Sequence, residues 1–370
     1  MSSPIVHVLD YGAGNVRSIT NAIERVGFKV AFVTCPADLL TASIVVFPGV
    51  GCVSAAIDFL DTRGFREPLL VYLRSGRPFL GICLGMQTLF DRSEEAPGAR
   101  GLGLIAGCVA RLAPKDGSSV PHMGWNGVAR AREATGGVKV IPALASLDDT
   151  SRVYFVHSYA ARVEPANAAW VATVTDYGGE RFISSVARGA IVATQFHPEK
   201  SGALGLSVFE NFLRSAAASV TSGSPLQPLA QNVSPPLSNA SDDAAEREAM
   251  DSKTYMQLLD ATVTTPHTHV ARRIIACLDV RSNDAGDLVV TKGDQYDVRE
   301  KVDEGGGVRN LGKPVELCAR YYDEGADEVC FLNITAFRAE PLGDEPMLKV
   351  LELSSSRVFV PLTVSLNLEK

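Results

Sequence analysis

Three short stretches hold residue types that could act together on a carbonyl. Residues 78–90 read PFLGICLGMQTLF. An apolar strand there runs into Gly81-Ile82-Cys83-Leu84-Gly85 and turns at once into a helix, the layout of a nucleophile elbow with Cys in the place of Ser. The glycines let the backbone turn sharply and leave room for a substrate carbonyl, and the helix N-terminus that follows favours the reactive thiolate. A lone cysteine between glycines is otherwise a buried structural thiol. Residues 196–199, FHPE, stand at the end of the apolar run IVATQ and could supply a base and its orienting group. His197 and Glu199 are two apart on an extended segment, so both face one side, and Pro198 stiffens the link. Taken singly they read as a satisfied loop histidine and a solvated acid; beside a Cys elbow they complete the set of nucleophile, base and orienter. Residues 47–51, FPGVG, form a strand end and Pro-Gly turn. The backbone N–H groups around Gly49, Val50 and Gly51 could hold an oxyanion.

The elements that must place these residues are legible as an alternation of strands and helices. Residues 5–9, 44–47, 78–82, 153–156 and 191–195 are predicted strands, and helices are predicted over residues 16–26, stopped by Gly27, and 69–73, stopped by Ser75-Gly76. Strand, glycine-rich turn, helix and strand in succession predict an α/β, doubly wound sheet with its active edge at the C-terminal strand ends. From residue 215 the composition turns to Ser, Ala, Pro and Asn, which predicts a linker over 215–269 with an acidic helical arm within it. A second unit opens near residue 270, with predicted strands at 274–280, 328–333 and 358–364 and helices at 314–324 and 347–354.

The chain has 370 residues, with 46% hydrophobic, 21% charged and 7% aromatic content. This composition excludes disordered, collagen-like and coiled-coil classes and predicts more than one domain. Basic residues number 20 against 18 acidic over 1–215, 2 against 6 over 216–269 and 13 against 18 over 270–370. No piece has the positive face that a nucleic-acid partner requires. No apolar run spans a membrane, and the opening residues have neither the apolar core of a secretory signal nor an Arg/Ser-rich transit pattern, so a cytoplasmic location is expected. The seven cysteines are scattered without Cys-x-x-Cys pairs or His clusters, which predicts reduced thiols and no metal site.

Over residues 4–214, the motifs DYGAGN, FPGVG, GICLGMQ, HMGWN, HSY and FHPEKS together resemble the class I glutamine amidotransferases, and within them the glutaminase part of the imidazole glycerol phosphate synthases. The resemblance implies Cys83 as nucleophile, His197 as general base and acid and Glu199 as its orienter. Glutamine would be hydrolysed through a γ-glutamyl thioester to glutamate and ammonia. It further implies that Gly51, Gln87, Ser158 and Tyr159 hold the glutamine or its oxyanion, that the loop around Val50 must turn an N–H inward before it works, and that residues 122–126 lie near an intramolecular contact with the cyclase. No cofactor and no metal is implied.

Asp279 ends the apolar strand IIACLDV, where barrel enzymes keep catalytic groups. The stretches RIIACLDV, VVTKGDQYDV and DEVCFLNITAF resemble the cyclase half of the same family. That resemblance implies Asp279 as one acid/base carboxylate, Lys292 on a mobile loop over the substrate, and Arg273 with Glu328 in a charged gate for ammonia. A (β/α)₈ barrel takes about 250 residues, so residues 270–370 are expected to form a truncated, incomplete barrel of about three strands of eight, with its cyclase step lost. Two functions follow. One is the glutamine-hydrolysing half of a histidine-biosynthesis synthase, whose complete form converts the phosphoribulosyl-formimino carboxamide ribotide PRFAR to imidazole glycerol phosphate and AICAR. The other is a non-catalytic or regulatory chain that binds glutamine or a partner subunit. A cysteine protease is disfavoured, because the glycines and Gln87 crowd Cys83 into a site for a small amide.

Overall fold

The computed structural model describes residues 4–12, 15–131, 139–222, 228–229, 271, 273–282, 288–291, 313–333 and 344–364. The chain divides into two units, Met1–Ala271 and Arg272–Lys370.

The first unit is built on an eight-stranded sheet. Its parallel half comprises β1 (Val6–Val8), β2 (Val30–Phe32), β3 (Ile44–Phe47), β4 (Phe79–Ile82) and β13 (Ile191–Thr194), in the spatial order β2-β1-β3-β4-β13. Every residue of β3, β4 and β13 is buried, as a parallel sheet covered on both faces requires. Helices α1 (Val16–Arg25), α2 (Pro36–Thr41), α3 (Val53–Thr62) and α4 (Arg66–Arg74) connect the early strands. Helix α4 buries Leu69, Leu70, Tyr72 and Leu73, each such apolar side chain contributing about 1.5–3 kcal/mol. Past β13 the sheet turns antiparallel through β12 (Glu180–Arg188), β11 (Val171–Tyr177) and β8 (Ala129–Arg130). A three-stranded sheet joins β5 (Phe90–Ser93), β6 (Ile105–Arg111) and β10 (Tyr159–Ala161), and a two-stranded ribbon joins β7 (His122–Gly127) to β9 (Arg152–His157).

Three expectations change. The predicted strand at 153–156 exists as β9, but it pairs with β7 outside the main sheet, because strand character says nothing of the partner. The helix after Cys83, α5, is one turn long, Leu84–Gln87; Phe90 then enters β5, whose partner β6 lies farther along the chain. Helix α6 runs over Gly202–Ser222 with Ala216 buried, so residues 215–222 extend a helix where a linker was expected. Alanine favours that outcome. The predicted helical arm in 215–269 lies outside the described residues.

The described part of the second unit has a four-stranded sheet in the order β15-β14-β16-β17, formed by β14 (Ile275–Ser282), β15 (Leu288–Thr291), β16 (Glu328–Asn333) and β17 (Leu362–Val364). Helices cover Pro314–Asp323 and Asp344–Ser355. Strands β14, β16 and β17 are parallel neighbours, as expected, although β17 begins later than residue 358. The antiparallel β15 adds a strand beyond the expected three.

One close approach fixes the turn at the end of β4. A Cβ on Gly85 would stand 1.9 Å from the Phe47 carbonyl oxygen, a backbone atom that cannot yield without moving β3. Gly85→Ala is therefore expected to destabilise the first unit by about 3 kcal/mol, seen as a lowered denaturation midpoint of its unfolding transition; an unchanged midpoint would show that the turn is not held against β3.

Candidate active site

Cys83 sits between β4 and α5 with φ at 52° and ψ at −102°, and among the described residues it alone has positive φ without being glycine. Such a conformation costs about 1–3 kcal/mol and persists only where its surroundings enforce it. Here the Cys83 N–H donates to the Thr194 carbonyl at 2.6 Å, while the N–H groups of Met86 and Gln87 donate to the Cys83 carbonyl at 3.0 and 3.1 Å. Cys83 is thus tied to the ends of two neighbouring strands and to the turn of α5. With only four residues, α5 has little axial dipole to offer a thiolate, contrary to the expected stabilisation by a helix N-terminus. The groups facing the sulfur come from elsewhere: Gln195 Nε2 donates toward Sγ at 3.5 Å, and Sγ reaches the Val156 backbone carbonyl at 4.0 Å.

His197 and Glu199 meet as expected, by a different local geometry. His197 is extended, but Pro198–Lys200 forms a 3₁₀ turn, and that turn brings Glu199 Oε1 to 2.7 Å from His197 Nδ1. The backbone is fixed on both sides, since His197 N–H donates to the Tyr154 carbonyl and Ser201 Oγ to the His197 carbonyl. Both side chains are buried, and His197 Nε2 makes no hydrogen bond among the described residues. Burial alone would push the imidazole down; Glu199, and next the Cys83 sulfur, outweigh it and hold the imidazolium up to about 9. Burial likewise works against the Glu199 carboxylate, and the His197 charge overcomes it and keeps Glu199 below its ordinary value. This is the electrostatic signature of a Cys–His pair with an orienting carboxylate.

Two further histidines lie behind this pair. His157 is pushed down to about 3 and His122 to about 2, chiefly by burial, then by the neighbouring His197 and His157 respectively. Both are neutral, and their contacts fix the tautomers. The Tyr159 carbonyl can only accept, so His157 Nδ1 carries the proton and donates to it at 2.9 Å. His157 Nε2 must then accept from His122 Nδ1 at 3.2 Å, and His122 Nε2 from Asn126 Nδ2 at 3.3 Å.

The residues expected to hold glutamine come from several elements. Gln87 is buried, and its Nε2 donates to the Tyr159 carbonyl at 2.9 Å and to Gln195 Oε1 at 3.0 Å. Ser158 links β9 to β10 and accepts through its carbonyl from Leu112 N–H. In the loop at Gly49, Val50 and Gly51, the Gly49 carbonyl accepts from Leu84 N–H at 3.4 Å, and the Tyr11 hydroxyl donates to the Val50 carbonyl. The Leu84 N–H, next after Cys83, is thus directed at this loop. Tyr11 and Gln195 were not singled out in the sequence. Gln195 was within the strand IVATQ, two positions before His197, and that adjacency was the available signal.

Of the residues expected in the second unit, Arg273 and Glu328 meet as an ion pair, Nε to Oε2 at 3.1 Å, and Thr363 Oγ1 donates to the other Glu328 oxygen at 3.2 Å. Asp279 stands opposite Leu332 of β16 and Thr291 of β15, three residues inside the end of β14 rather than at it, and burial raises its carboxyl above the ordinary value. Lys292 lies outside the described residues.

Residues 7–216 match the Glutamine amidotransferase class-I family and residues 273–366 the Histidine biosynthesis protein family. The chain is 47% identical to the Imidazole glycerol phosphate synthase hisHF, chloroplastic, of Arabidopsis thaliana over 365 residues, covering 98% of this chain and 53% of the relative. It is 45% identical to the Imidazole glycerol phosphate synthase hisHF of Emericella nidulans over 367 residues, covering 98% and 59%. The Imidazole glycerol phosphate synthase subunit HisH of Deinococcus radiodurans is 48% identical over 217 residues, covering 58% of this chain and 96% of that subunit. The chain therefore spans between half and three fifths of the bifunctional relatives. The expected loss of the cyclase step finds no support in them, since the match continues through the second unit. Among the described residues no helix is long and apolar enough to cross a membrane; the cytoplasmic location finds no support either, one relative being chloroplastic by name. With the amidotransferase match over more than half of its length, and a relative covered almost completely, the chain belongs to the class I glutamine amidotransferases, in their imidazole glycerol phosphate synthase branch.

Proposed function

We propose that the first unit hydrolyses glutamine to glutamate and ammonia, and that in histidine biosynthesis the ammonia serves the cyclase conversion of PRFAR to imidazole glycerol phosphate and AICAR. The observation that carries this reading is the buried contact of His197 Nδ1 with Glu199 Oε1 at 2.7 Å, behind a cysteine held at positive φ. The Cys83 thiolate adds to the side-chain amide carbon of glutamine. The His197 imidazolium gives its proton to the departing ammonia, leaving a thioester on Cys83. The neutral imidazole then takes a proton from water as it attacks the thioester, and glutamate and the thiolate are released. Gln87, Ser158 and Tyr159 are proposed to hold glutamine, and the N–H groups of the Gly49–Val50–Gly51 loop its oxyanion once Leu84 N–H is freed from the Gly49 carbonyl. In the second unit, Asp279 and Lys292 are proposed to act on PRFAR, and Arg273 with Glu328 to gate ammonia. The division into residues 4–214, 215–269 and 270–370, with an intramolecular glutaminase–cyclase contact and a cytoplasmic location, belongs to the same proposal.

The test is to supply the chain with glutamine and PRFAR and follow glutamate and imidazole glycerol phosphate separately. Glutamate release is expected, and Cys83→Ala should reduce it by about 10⁴-fold or more. Absence of glutamate from the unaltered chain would favour the non-catalytic reading.

The pH dependence has a definite sign. His197 must be protonated to release ammonia, and its imidazolium is held up to about 9, so kcat/KM for glutamine should fall only as pH rises through about 9. Removing the Glu199 charge removes the largest raising cause, so Glu199→Gln should move that alkaline limb to lower pH and cut the plateau by about a hundredfold. A limb that stays in place would show that Glu199 does not set the charge on His197.

A further inference from the structure

Gln195 is buried at the end of β13, its backbone N–H bound to the Ser184 carbonyl at 2.9 Å. The orientation of its side-chain amide follows from its neighbours. The Tyr159 carbonyl can only accept, so Gln87 must present its NH₂ group there. The same NH₂ meets Gln195 at 3.0 Å, which requires Gln195 to turn its oxygen toward Gln87. Its own NH₂ group is thereby left facing Cys83 Sγ at 3.5 Å. An amide NH₂ has no acceptor capacity, so the sulfur is the acceptor in this contact. A thiolate accepts far better than a thiol or a thioester sulfur, since hydrogen bonds to an ionised partner are the strong ones.

We propose that Gln195 is a catalytic residue of the glutaminase site, whose side-chain NH₂ stabilises the Cys83 thiolate both before attack and as it leaves the acyl carbon. The proposal rests on the glutaminase reading and adds a group that the motif resemblance does not assign. His197 opposes the same charge from the turn after β13, with Glu199 behind it. Gln195 is the neutral donor among them. It also couples the sulfur to the proposed substrate-holding residue Gln87, because any displacement of the Gln87 amide moves the donor that orients Gln195.

Gln195→Met keeps the side-chain length while removing donor and acceptor, and Gln195→Glu keeps an acceptor for Gln87 while removing the donor. Alkylation of Cys83 by iodoacetamide at neutral pH, read on the Cys83 peptide by mass spectrometry in the full chain, needs no glutamine. It should slow by about five- to tenfold in both variants, with kcat falling by a similar factor and KM changing less. Alkylation and kcat both unchanged in the Met variant would overturn the proposal. Wild-type alkylation in the Glu variant would also overturn it, reducing Gln195 to a prop for Gln87. A thermal melt identifies a variant that fails to fold, and the other variant then decides. If the unaltered chain releases no glutamate, the glutaminase reading fails, while slower alkylation in the variants still assigns the sulfur contact to Gln195.

Discussion

The backbone of Cys83 is held where an L-residue does not rest by itself, and the surrounding fold supplies the restraint. The N–H at that position is taken by the last residue of β13 and the carbonyl by the next turn of chain. Helix α5 can lie that close to the sheet only because Gly85 brings no Cβ against Phe47. The parallel pairing of β13 with β4 sets where Thr194 ends, and so where Gln195 and His197 begin. One register therefore places Cys83, Gln195 and His197 at neighbouring strand ends, and a slip of one residue would turn them to the other face.

Three histidines in one buried region illustrate how partners, rather than burial, decide charge. His122 and His157 give and receive hydrogen bonds with neutral groups, and burial leaves them uncharged. His197 is as buried but faces a carboxylate, and there the attraction exceeds the desolvation cost. A positive charge survives at one ring only, the ring whose Nε2 is left unpartnered among the described residues. The neutral pair behind it fixes the Tyr159 carbonyl without adding a competing charge beside the imidazolium.

The Cys83 turn and the His197–Glu199 contact were legible because each depends on local chemistry: glycines flanking a cysteine, and a carboxylate two residues from a histidine. Even there the prediction reached the right contact by the wrong path, since a 3₁₀ turn, not an extended segment, delivers Glu199. The parallel strands β3, β4 and β13 were legible from continuous apolar runs, because both of their faces are covered. The one-turn length of α5 was not, because it is set by the pairing of β5 with β6 beyond it. Nor was the role of β9, whose apolar pattern fits a ribbon as well as a central sheet. Gln195 meets Cys83 across 112 residues of sequence, a separation over which no spacing rule operates.

The same separation explains why the site is assembled from strand ends instead of from one loop. A hydrogen-bonded chain runs from Asn126 through His122 and His157 to the Tyr159 carbonyl, and from Gln87 through Gln195 to the sulfur. Every link takes one direction, set outward from the Tyr159 carbonyl, which can only accept from His157 on one side and from Gln87 on the other. A buried network of this kind is stable only when complete, since an unmatched donor or acceptor costs about 1–3 kcal/mol. The ends of β7, β9, β10 and β13 are thereby held to mutual positions more narrowly than apolar packing would demand. That narrowness is what the proposed alignment of Cys83 with a small amide requires.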